Sequence, residues 1–95
     1  MQFEWDEDKA AANLVKHRVS FEDASLVFFD PLAFFEEDRE DEGEQRWRAT
    51  GRMDDELLLV VIHVFRHSGG IEKIRIISAR KALPHERRRY ETENG

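Results

Sequence analysis

Cysteine is absent from the 95 residues, proline occurs twice and glycine five times. Without cysteine the chain has no disulfide framework, no thiol nucleophile and no cysteine-based zinc site, which fits a reducing cytoplasm. Scarce glycine leaves no Gly-rich phosphate loop, and neither HExxH nor GxSxG occurs. With four scattered histidines, a three-ligand metal site is not expected, nor is any cofactor. No stretch approaches the roughly 18 apolar residues of a membrane span. The opening Met1-Gln2-Phe3-Glu4-Trp5-Asp6 has neither the basic flank nor the apolar run of a signal peptide.

The chain is 40% hydrophobic and 38% charged. Its apolar residues are clustered, so the composition predicts one globular domain over 1–95 with a modest core and a heavily solvated surface. The net charge is −6, which by itself argues against a nucleic-acid partner. Its distribution argues otherwise. Residues 1–65 carry 17 acidic and 7 basic side chains, whereas residues 66–90 carry 8 basic and only 2 acidic. A local positive field of this kind steers phosphate more than the total charge repels it.

Periodicity predicts the order β-α-α-β-β-β-β-α. Phe3-Glu4-Trp5 alternates as a short strand. Asp6 reads as an N-cap, and Ala10, Ala11, Leu14 and Val15 draw an apolar helical face. Ser20 opens a second helix, which Asp30-Pro31 stops. The segment 36–44 holds seven acids in nine residues. Such a run repels itself and reads as a mobile loop. Arg46 to Arg52 alternates as a strand, Leu57 to Phe65 reads as a buried central strand, Ser68-Gly69-Gly70 as a hairpin turn and Glu72 to Arg80 as the next strand. Pro84 fits the first position of a last helix. Short connections between the later strands predict an antiparallel sheet with helices on one face, an α+β fold.

Several residues stand out chemically. Arg46 and Arg48 project from one side of their strand. Strict alternation puts Arg75 with Ile77 and Ala79 on one side of the next strand but one, and Arg80 with Ile74, Ile76 and Ser78 on the other. Arginine is planar, permanently charged and bidentate toward phosphate, so coinciding faces would bind a phosphate backbone. Asn13, Lys16 and His17, spaced i, i+3, i+4, share a helix edge where His17 or Lys16 could move a proton. His63 sits in an apolar run and reads as a core residue more than a base. Tyr90, after Arg87-Arg88-Arg89, either docks the last helix or donates to a phosphate. Two functions remain: metal-free cleavage of a phosphodiester, or a binding role without catalysis.

Phe3-Glu4-Trp5-Asp6, Asn13-x-x-Lys16-His17, Val19-x-Phe21, Phe29-Asp30-Pro31, Gly43-Glu44-x-Arg46, Gly51, Ile74 through Ala82 and Glu86-Arg87-Arg88-x-Tyr90 together resemble the BrnT family of bacterial ribonuclease toxins. Members of that family often carry a histidine before the Gly-Glu-x-Arg element, where this chain has Arg39-Glu40-Asp41-Glu42. The resemblance implies a RelE-like fold, cleavage of RNA in the cytoplasm and inhibition of translation and growth. It also implies neutralisation by a BrnA-type ribbon-helix-helix antitoxin encoded beside the toxin, through which alone the toxin would meet DNA. On charge and spacing the expected catalytic residues are Lys16, His17, Arg75 and Arg80, with Arg46, Arg48 and Tyr90 contacting substrate. The alternative is an interaction module, a co-repressor subunit whose basic surface holds an acidic partner.

Overall fold

Asp6 starts the first helix as its spacing predicts: the carboxylate accepts from the backbone N–H groups of Asp8 and Lys9 at 2.8 and 3.1 Å, satisfying donors that a helix start leaves free. The computed structural model, which describes residues 1–94, continues from there in the predicted order. It comprises β1 (Gln2–Glu4), α1 (Glu7–His17), α2 (Phe21–Ser25) with a 3-10 turn (Leu26–Phe29), β2 (Phe34–Asp41), β3 (Glu44–Arg52), β4 (Leu58–Ser68), β5 (Ile71–Lys81) and α3 (Pro84–Asn94). No helix among the described residues is long and apolar enough to cross a membrane.

The sheet runs β1-β5-β4-β3-β2. Its four long strands are antiparallel neighbours, as their short connections predict, and β1 adds a parallel pairing with β5. Parallel pairing follows from connectivity: the chain leaves β1, passes through α1 and α2, and returns to the far side of the sheet. One sheet face meets α1, α2 and the 3-10 turn, with Ala49, Leu59, Val61, Ile76 and Ala79 packed on Val19, Phe21, Ala24 and Val27. The expectation of helices on one face holds for α1 and α2 but not for α3, which covers one end of the opposite face, where Tyr90 stacks on Phe34 and Arg89 pairs with Glu36.

Three local expectations change. The acidic segment is not a loop; residues 36–41 belong to β2. Facing arginines on β3 offset its self-repulsion: Arg48 opposes Glu36 in register, and Arg46 pairs with Asp41. A two-residue turn at Glu42 and Gly43, with φ of 52° and 78°, then closes the hairpin. Second, Leu14 and Val15 are not the buried face of α1, being 49% and 80% exposed. The residue α1 buries is Asn13, because the helix lies along an edge of β5 whose main chain needs polar partners.

Third, β5 does not alternate strictly. Ile62 pairs with Ser78 but His63 with Ile76, so Ile77 is an extra residue in a bulge. The bulge resets the side-chain parity. Ile74, Ile76 and Ala79 are buried on the core side, and Arg75 and Arg80, opposite Val64 and Val60, share the other face.

Gly51 marks a close approach of the sheet to the segments packed on it. A Cβ there would lie 2.8 Å from both Ala33 Cβ and Val27 Cγ1. Because Val27 is fully buried, little can give way. Gly51→Ala is expected to lower the unfolding free energy by about 2 kcal/mol, the usual scale of overpacking. A urea midpoint unchanged from the parent would contradict this.

Candidate nucleic-acid interface

The face of the sheet opposite α1 and α2 carries Arg46 and Arg48 from β3, Arg66 from β4 and Arg75 and Arg80 from β5. Alternation on β3 and the bulge in β5 bring them to one side. Each is met by a carboxylate: Arg46 by Asp41 at 2.8 Å, Arg48 by Glu36 and Asp38 at 3.6 and 3.7 Å, Arg66 by Glu44 at 3.2 Å and Arg75 by Glu4 at 3.5 Å. The Arg66–Glu44 pair is open to solvent and the others are half-buried but still reached by water; ion pairs in contact with solvent contribute little to stability. A polyphosphate chain can therefore displace them at low cost.

Two clefts indent this face. The larger, about 520 Å³, lies where the β2–β3 hairpin tip meets Arg46, Arg66, Arg75 and Ile77, with Lys9 near the start of α1 also on its lining. The smaller, about 100 Å³, lies against α3 between Phe34, Glu36, Arg48, Thr50, His85 and Arg89.

Arg80 stands apart from the other arginines. Its guanidinium donates two bonds to Glu86, at 2.7 and 2.9 Å. Glu86 also accepts from the Leu83 N–H at 2.8 Å. Those hydrogen bonds from Arg80 push the Glu86 carboxyl down to about 2 and raise Arg80 above its ordinary value. The pair clamps the first turn of α3 to the end of β5 and so positions His85.

Tyr90 is buried, and its hydroxyl donates to Asp30 at 2.7 Å. Burial raises its pKa, and the bond to Asp30 adds to the rise. Of the two roles open for Tyr90 in the sequence, this geometry serves the docking of α3. Burial works against the Asp30 carboxylate, yet the Arg52 N–H and the Tyr90 hydroxyl hold its pKa below the usual range.

Lys16 and His17 end α1, roughly 10 Å along its axis from Lys9. No hydrogen bond or ion pair among the described residues ties either to the arginine face. His63 is wholly buried, as its apolar run predicts. His85, Lys9 and Arg89 are contributors that the sequence reading did not single out. The signal for two of them was present: His85 and Arg89 are spaced i, i+4 behind a helix-starting proline, which puts both on one helix face.

The chain is a small five-stranded α+β protein that gathers arginines on one sheet face with a histidine at the margin, and arginine is the side chain whose geometry matches phosphate. The chain belongs to the BrnT family, ribonuclease toxins of type II toxin–antitoxin systems, whose family model matches residues 5–86. Among solved structures it is similar to the 1.1 Å crystal structure of the Brucella abortus ribonuclease toxin BrnT. The two are 28% identical, with a TM-score of 0.65, over 87% of this chain and 97% of that one. No curated protein matches the sequence.

Proposed function

We propose that the chain is an endoribonuclease toxin that cleaves RNA in the bacterial cytoplasm without a metal ion, arresting translation and growth until a BrnA-type ribbon-helix-helix antitoxin neutralises it. The observation that carries this reading is the convergence of Arg46, Arg48 and Arg75 on one face with His85 at its margin. In the reaction a ribose 2′-oxygen bonds to the adjacent phosphorus as the bond from phosphorus to the 5′-oxygen breaks. A base takes the 2′ proton, an acid returns one to the leaving oxygen, and cations stabilise the charge gathering on phosphorus. Arg46, Arg48 and Arg75 supply the cations by exchanging carboxylate for phosphate. Arg80 acts through Glu86 as a positioning residue. His85 is the proton carrier, and Lys16 with His17 is the competing assignment.

The test is cleavage of a defined RNA in EDTA, resolved on a gel. The parent should leave 2′,3′-cyclic phosphate ends. Arg48→Ala, Arg75→Ala and His85→Ala should each lose about a hundredfold or more in rate, the scale of one general acid–base or electrostatic contact, with little change in thermal stability. His17→Ala and Lys16→Ala should stay within about twofold; the reverse ranking would move proton transfer to α1.

The engagement of each of these arginines by a carboxylate favours one second reading, a co-repressor subunit whose basic face is internally closed. Intact RNA in every lane, with the antitoxin still bound, would select it.

A further inference from the structure

The sheet face that carries α1 and α2 is left uncovered at its other end. There Phe28, Phe35, Phe65, Ile74 and Met1 line a cleft of about 570 Å³, with Glu72 at its rim. Phe35 and Phe65 are 46% and 39% exposed, an apolar opening of the sort that marks a binding site. Beneath it lies His63, fully buried and edge-on to Phe28, Phe35 and Phe65, with ring centroids 4.8, 6.0 and 5.1 Å away. The three rings are thus held as a fixed floor. The His63 Nε2 has no hydrogen-bond partner among the described residues, and a buried nitrogen left in that state is costly unless something else meets it.

The charges around the two faces differ in kind. On the arginine face Glu4, Glu36, Asp38, Asp41, Glu44 and Glu86 are each engaged by an arginine. On the cleft face Glu72 stands at the rim opposite His67, and Glu37 and Glu40 are carried along β2, in register with Trp47 and Gln45. None of these three carboxylates is in an ion pair among the described residues. An apolar floor with Glu72 at its rim, and two more unpaired carboxylates further along the same sheet face, suits a cationic partner carrying large apolar side chains; the aromatic faces themselves favour a nearby cation. RNA is repelled by the same carboxylates. A second copy of a chain with net charge −6 would set like charge against like.

We propose that this cleft seats a positively charged segment of the antitoxin, inserting apolar anchors between Phe35 and Phe65, on the face opposite the RNA-binding arginines. This rests on the toxin reading above and deepens it. The anchoring cleft and the RNA-binding arginines then lie on opposite faces, so substitutions in the cleft can change antitoxin affinity without changing cleavage by the toxin alone.

The experiment uses the full chain with the antitoxin encoded beside it, and reads both antitoxin affinity and RNA cleavage. Phe35→Ser with Phe65→Ser should weaken antitoxin binding about a hundredfold, as for central anchors of an interface. Glu72→Lys changes an exposed rim residue only; it should weaken binding about tenfold at low salt and less at high salt. Both variants should cleave RNA as the parent does. Unchanged antitoxin affinity in both would overturn the proposal. So would a concentration-dependent self-association of the parent that Phe35→Ser removes, since the cleft would then belong to a second copy. If the parent cleaves no RNA and the variants still lose the antitoxin, the cleft stands and the nuclease reading falls.

Discussion

Asn13→Ala should lower the unfolding free energy by about 3 kcal/mol, because one buried side chain satisfies three main-chain groups at once. Its amide nitrogen donates to the carbonyl oxygens of Val19 and Ala79, each at 2.9 Å, and its oxygen accepts from the Ala79 N–H at 3.1 Å. The need arises from the sheet. β1 pairs only with Lys73 to Arg75, so further along β5 the main chain at Ala79 has β4 on one side and no strand on the other. Asn13 stands in for the missing neighbour and fastens α1 along that edge. Alanine leaves a donor and two acceptors buried without partners. For a domain whose total stability is about 5–10 kcal/mol, that is a large share, and the thermal midpoint should fall by roughly 15 °C. Asn13→Asp should do no better near neutral pH, since a carboxylate would face two carbonyl oxygens. A loss below about 1 kcal/mol in urea unfolding would mean that water satisfies the edge and that Asn13 is a minor contact.

The same edge shows what could and could not be read in advance. Asn13, Lys16 and His17 stand out by spacing as a polar helix edge, yet spacing cannot show that Asn13 points inward. That depends on β1 being too short to cover β5, a long-range fact. The neighbouring error has the same source: Leu14 and Val15 look like a core face because periodicity ranks residues by polarity, whereas here the covered surface is itself polar. Alternation on β3 placed Arg46 and Arg48 correctly because that strand is regular over their length. Alternation on β5 misplaced Arg80 relative to Arg75, since one extra residue at Ile77 inverts every later side chain. The acidic run reads as self-repelling when taken alone, but the arginines that offset it lie on β3, the next strand along the chain. His85 escaped notice because its place near Arg48 depends on how α3 docks, which Tyr90, Asp30 and the Arg80–Glu86 pair decide together.

Acid should destabilise the protein through His63 well before its carboxylates protonate. Burial holds the His63 pKa down to about 4 from an ordinary 6.5, and a weak contact of Nδ1 with the Val61 carbonyl, at 3.3 Å, does little to restore it. Between those two values the unfolded chain binds a proton that the folded chain refuses. Stability from the neutral imidazole is therefore complete above about pH 6.5 and falls as pH drops toward 4, by about 1.4 kcal/mol per unit and about 3 kcal/mol in all. The Arg80–Glu86 pair acts in a lower window: with Glu86 held at about 2 against an ordinary 4.5, its contribution is present above 4.5 and fades only below it. The two windows can be told apart by measuring urea stability at half-unit intervals from pH 7.5 to 3.5. His63→Leu removes the titration while keeping an apolar filling beneath Phe28, Phe35 and Phe65, so it should flatten the slope between 6.5 and 4.5 and leave the lower fall intact. A parent curve with no slope in that upper window would show that the imidazole finds a proton acceptor or water in the folded state, and that the floor of the aromatic cleft is looser than its T-shaped contacts describe.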